Sequence, residues 1–210
     1  MFTIECFIYV LIVFYSVLYQ IKAILMYRKN RKKELKNASG LFVTKDILNQ
    51  NNLGTLYITK IEGKYNDHYD IERNVIRLSE EVYDSENQAS LIIGFYESIK
   101  AICFNETNKR KEEKIKHLIM DYSNKLAFIL FLLGASSKAI DMMSLCLIIM
   151  IVVLVVKYTY INKKIDIFNK NISFIKKEYK LKNDNIIEIE KSMKTLVFNE
   201  LSLHILNNKY

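Results

Sequence analysis

The first apolar block runs from Cys6 to about Met26, through Phe7, Ile8, Tyr9, Val10, Leu11, Ile12, Val13 and Phe14, with Gln20 and Lys22 interrupting its later half. About 20 such residues cross a bilayer core as a helix, and Lys22 can extend its ammonium to the interface. A second apolar stretch extends from Leu126 to Val156, broken by Ser136, Ser137, Lys138 and Asp141. One helix of that length would overshoot the bilayer and hold Lys138 and Asp141 near its centre, which is costly. A hairpin resolves the conflict, with an outgoing arm over about 122–136 and a returning arm over about 142–160. The outgoing arm is short and draws on interfacial Tyr122 and Asn124. A re-entrant hairpin is the alternative.

Between these blocks the period shortens. Residues 44–51 predict a short helix capped by Thr44. Residues 55–61 place Leu56 and Ile58 among polar Thr59 and Lys60, which suits a strand. Residues 74–78 predict a second strand, with Asp67, His68, Tyr69 and Asp70 in the loop between the two. Residues 85–104 predict a helix that carries Ala89, Ile92, Ile93, Tyr96 and Lys100 on one face. Residues 109–117 continue as a charged helix into the membrane. Past Lys157, helical spacing recurs at Ile165, Phe168, Ile172 and Ile175, then at Ile186, Ile189, Met193, Leu196, Leu201 and Ile205. That tail can lie on the membrane or pack on the soluble region.

The fold class expected is therefore α+β in a membrane protein: an N-terminal transmembrane anchor over 1–27, a small cytoplasmic α+β domain over 28–121, a transmembrane hairpin over 122–160 and a helical cytoplasmic tail over 161–210. The soluble region is small but large enough for a core.

Charge orients this layout. The chain carries 31 Lys and Arg against 23 Asp and Glu, a net charge of +8. The bases crowd behind the first block from Arg28 to Lys33, again from Lys109 to Lys116, and again from Lys157 to Lys182, whereas the turn of the hairpin has Lys138 alone. The positive-inside rule places the soluble region and the tail on the cytoplasmic side of a cell membrane, facing its anionic leaflet. A cleaved signal peptide would carry its bases before the apolar run, so the first block reads as an uncleaved anchor with its amino end outside. Nucleic-acid binding is disfavoured, because the bases flank membrane spans and no binding module accompanies them. Cys6, Cys103 and Cys146 show no metal-type spacing and read as buried thiols.

The chemistry-bearing residues lie between 63 and 103. Gly63 is followed by Asp67-His68-Tyr69-Asp70, then Arg77-Leu78-Ser79, Val82-Tyr83 and Phe95-Tyr96-Glu97-Ser98-Ile99-Lys100-Ala101-Ile102. This order and spacing resembles the bacterial membrane-bound neutral zinc metallopeptidases. In that family the same turn, strand end and Val-Tyr pair lead into a helix bearing H-E-x-x-H. The resemblance is good from Ser39-Gly40 to Ile102 and poor afterwards. It implies a zinc cofactor held by two helix histidines and a further ligand near the exit of the third span. Here Tyr96 and Lys100 stand at the two histidine positions, Tyr160 falls nearest the third, and Glu97 keeps the general-base position as a vestige. Ile71 follows Asp70 where the family usually has proline.

Positions i and i+4 share a helix face, which is why two histidines so spaced can close on one zinc ion. A phenol and an ammonium keep that geometry but titrate near 10. An ammonium also repels a dication directly. No metal or cofactor is therefore expected on this helix. Lys100 follows Glu97 by three residues and is expected either to enter the vacated space and neutralise it or to be solvated with it on an exposed face. Asp67, His68, Tyr69 and Asp70 are site-adjacent. Their structural reading is a tight turn in which Asp and His side chains bond the backbone.

Three functions follow. The first is an inactive family member acting by binding or regulation, with the bilayer and a membrane protein or an active relative as partners. The second is a peptidase with a metal site rebuilt from His68, Asp67, Glu97 and Cys103. The third is a basic membrane-surface protein that has inherited only the fold.

Overall fold

The computed structural model describes residues 4–64, 66–105 and 110–200. It is a mixed α+β protein, mostly helical. Helix α1 (Ile4–Arg31) leads into strand β1 (Glu34–Ser39), helix α2 (Gly40–Gln50) and strands β2 (Tyr57–Ile61), β3 (His68–Asp70) and β4 (Val75–Ser79). The short helix α3 (Glu80–Tyr83) and strand β5 (Glu86–Asn87) precede helix α4 (Gln88–Asn105). Helices α5 (Arg110–Ser137), α6 (Ile140–Glu178) and α7 (Asn183–Asn199) complete the chain order.

Among the described residues, three helices are long and apolar enough to cross a membrane: Ile4–Arg31, Leu118–Ser137 and Ile140–Glu178. Phe7, Leu11, Phe14, Leu132, Ile148, Ile151 and Val155 point outward from them, as side chains facing lipid would. Their inner faces meet at Tyr9, Ala127, Cys146 and Met150, and the Tyr9 ring stacks on Phe131 with centroids 3.7 Å apart. The α5–α6 turn falls where the polar interruption predicts it. Lys138 takes a left-handed φ of 56°, and the Ala139 N–H donates to Gly134 O at 2.9 Å. A Cβ on Gly134 would come within 2.8 Å of the Met143 side chain, so glycine there lets the two helices close.

Helix α6 does not stop where its apolar run ends. Its 39 residues span about 58 Å at 1.5 Å per residue, twice a bilayer core. The later half buries Ile161, Lys164, Ile167, Phe168, Asn171 and Ile175. That stripe joins Val43, Ile47, Ile76, Leu78, Ile92, Ile93, Phe95 and Ile99 in one apolar core, together with Ile189, Met193, Leu196 and Val197 of α7. Of the two sites open to the tail, the surface of the soluble region is the one it packs on. Leu201 and Ile205 lie outside the described residues, as does Lys109.

Several local expectations are corrected. The cap of α2 is Ser39, whose Oγ accepts from the Phe42 N–H at 3.3 Å, so the helix begins five residues before residue 45. Thr44 is fully buried and donates to Gly94 O at 3.2 Å. The segment expected to be a loop at Asp67–Asp70 contains strand β3, because its backbone pairs antiparallel with β4 in the register His68↔Arg77, Tyr69↔Ile76 and Asp70↔Val75. Strand β4 is central, with β2 parallel on its other side. Helix α4 starts at Gln88 rather than residue 85, since Glu86 and Asn87 pair with β1. Strand β1 itself, rich in Lys, Asn and Glu, had no apolar alternation to mark it.

Candidate functional site

Helix α4 carries the site, and two glycines let it sit where it does. A Cβ on Gly94 would lie 2.6 Å from the Gly40 carbonyl oxygen, so α2 and α4 cross at backbone contact. The Gly94 carbonyl there accepts from Thr44 and from Ser98 Oγ at 2.7 Å. One turn on, Glu97 is 1% exposed. Its Oε2 accepts from the Tyr69 N–H at 2.7 Å, which ties α4 to strand β3. Lys100 Nζ lies 2.8 Å from each Glu97 oxygen. Of the two sequence expectations for Lys100, the paired one is what the structure has.

Tyr96, expected from the resemblance at the first histidine position, is buried rather than facing an open cleft. Its hydroxyl donates to Glu200 Oε1 and approaches Leu196 O at 3.4 Å. Lys100 Nζ sits 4.9 Å from the centroid of the Tyr96 ring, a cation–π distance. Glu200 also pairs with Lys164 of α6. Neighbouring Lys163 donates to Cys103 O at 2.9 Å, so α6 is fastened to α4 by a second lysine. The site thus gathers Glu97 with Lys100 and Glu200 with Lys164, with the Tyr96 phenol between the two pairs.

Burial and pairing pull these groups in opposite directions. Burial pushes the Glu97 carboxyl up, against Lys100 and the Tyr69 N–H, which favour its charge. Burial pushes the Tyr96 phenol well above its ordinary value, with the charges of Glu200 and Glu97 adding to it. Burial also acts upward on Glu200, but Lys164, Lys100 and the Tyr96 hydroxyl outweigh it and hold the carboxyl at about 2.

The Asp-His-Tyr-Asp residues are brought to one edge of this cluster. Asp67 is fully buried, and its carboxylate accepts from the Ser79 N–H at 2.6 Å and from Ser79 Oγ at 3.0 Å. Burial pushes Asp67 up to about 6, against those bonds, and the Glu97 charge adds to the rise. Ser79 ends β4 and precedes α3, so Asp67 pins the strand end beneath the site. His68 turns outward, with Nδ1 2.5 Å from Asn66 O. The Tyr69 hydroxyl joins Asn74 and Asn105. Asp70 caps the following turn through the Arg73 N–H at 2.9 Å and pairs with Arg77 at 3.1 Å.

Sequence reasoning missed Lys164 and Glu200. Both carried a signal: Lys164 interrupts the buried stripe of α6, and Glu200 falls one helical turn after Leu196 on the stripe of α7. Tyr160, the residue nearest the expected third ligand, lies one turn before Lys164 on the same helix.

A family zinc ion does not fit these residues. A buried phenol that keeps its proton is a poor ligand for a dication, and an ammonium bonded to both Glu97 oxygens has no lone pair to offer one. Among the described residues, no group of three or more His, Cys, Asp and Glu side chains converges as metal ligands. No curated protein and no solved structure matches the chain. The family model described as "Putative neutral zinc metallopeptidase" matches residues 3–197, nearly the whole length. The chain belongs to that neutral zinc metallopeptidase family.

Proposed function

We propose that this chain is a catalytically inactive family member, a multi-pass membrane protein that acts by binding a partner in the membrane rather than by hydrolysis. The observation that carries this reading is the pair of 2.8 Å contacts from Lys100 Nζ to Glu97. A general base must accept a proton from water in reach of the scissile group, and this carboxylate already has an ammonium on both oxygens. The bases behind α1 and α6 support a cytoplasmic position for the soluble region and for α7. A cytoplasmic domain that rests on three spans is suited to hold another membrane protein, either an active relative or an unrelated one.

The test is peptide hydrolysis by the full chain in detergent with zinc supplied in excess, beside crosslinking in native membranes. The expected result is no hydrolysis above background and one discrete crosslinked membrane protein. Zinc-dependent turnover that Glu97→Ala abolishes would replace this reading with a peptidase whose site is rebuilt around Glu97.

A further inference from the structure

Helix α7 is fastened by ion pairs near both of its ends. Near its start Glu188 pairs with Lys29 of α1 at 2.9 Å and with Lys33, just past the end of α1. At its far end Glu200 pairs with Lys164, whose side chain is only 7% exposed, and accepts from Tyr96. Between these points Ser192 Oγ accepts from Asn30 Nδ2 at 3.1 Å, and Asn30 Oδ1 accepts from Gln88 at 3.0 Å. Ile189, Met193, Leu196 and Val197 are buried in the core shared with α4. The helix therefore lies on the α4 face that presents Tyr96, the first ligand position.

We propose that α7 is a built-in cover over the former metal cleft, and that Lys100 and Lys164 together supply the two positive charges a zinc dication would bring. Each lysine is matched by one carboxylate, Glu97 or Glu200, so the buried cluster is neutral overall. The arrangement does the metal's structural work, joining α4, β3 and α6 through ion pairs internal to the chain. It adds one element no metal would require, the Glu200 end of α7. This cover rests on the reading of the chain as inactive and adds what became of the site: it is closed from the tail side, and partners dock elsewhere.

Removing one partner of a buried pair strands the other, whereas removing both is far less disruptive. That asymmetry gives the test. Hydrogen exchange is followed over residues 189–199 of the full-length protein in detergent, for the wild type, Glu200→Gln, Lys164→Met and the double variant. The expected result is exchange in that segment about tenfold faster in Glu200→Gln, with the double variant closer to wild type than Glu200→Gln is. Equal protection in wild type and Glu200→Gln would overturn the cover. If Glu200→Gln does not fold, Tyr96→Phe removes only the hydroxyl, and the same segment should loosen by a smaller factor. No change there would likewise overturn it. Hydrolytic activity in the wild type would remove the inactive reading while leaving these exchange rates as they are, so the two failures are distinguishable.

Discussion

At Asp67 the burial of a carboxylate competes with the bonds that satisfy it. Its folded pKa of about 6 lies above the ordinary value of 3.8, so between those values the folded state holds the extra proton. Stability from this group therefore falls as pH rises from about 4 to about 6, and the cost of the charge persists above that. Asn at this position keeps an acceptor for the Ser79 N–H and carries no charge. Asp67→Asn should be more stable than wild type by about 1–2 kcal/mol above pH 6, with the difference vanishing near pH 4. Thermal unfolding across that range checks it, and a constant difference would show that the hydrogen bonds alone set the effect. At Glu97 burial likewise pushes the carboxyl up, and pairing with Lys100 opposes it. Its neighbour Lys100 was legible in the sequence as an i, i+3 partner, because helical spacing alone brings the two side chains together. Lys164 and Glu200 showed only as charges on apolar stripes, and no local spacing tied them to Tyr96, because they arrive from segments far along the chain.

Among the elements, the legible ones were those whose period is carried by apolar residues. The three long apolar helices, α4 and strands β2 and β4 all have such a signal. Strand β3 does not: it is three residues long, its only buried strand residue is Tyr69, and β4 supplies the pairing that makes it a strand. Helix α6 was divided at its polar middle near Lys157, yet it continues because its later stripe finds a core. The crossing of α2 and α4 rests on Gly40 and Gly94. On an isolated helix Gly94→Ala would add about 1 kcal/mol of stability. Here the added Cβ meets the Gly40 carbonyl at 2.6 Å, which forces backbone apart at a cost of about 1–3 kcal/mol. The variant should unfold at lower temperature than wild type; a higher melting temperature would mean that α2 can shift freely.

For the molecule as a whole, α1 and α6 run from the small apolar cluster they share with α5 into the core built by the α+β region and α7. The apolar blocks made the three long helices readable, while the union of the tail with the α+β region in one core was visible only once α6 was seen to run into it. The proposed orientation makes a direct prediction. Cysteines placed at Lys64 and at Lys138 should react from opposite sides of sealed vesicles with a membrane-impermeant reagent, Lys138→Cys from the outside and Lys64→Cys only after permeabilisation. Labelling of both from the same side would contradict three spans in this order.

The central claim is that ion pairs have taken the place of the metal, and zinc content of the full-length protein tests it most directly. The protein purified in detergent without chelator, and again after incubation with zinc, should retain no more metal than Glu97→Ala or His68→Ala treated alike. Near-stoichiometric zinc that disappears in either variant would contradict the account and establish a rebuilt metal site on α4 and β3.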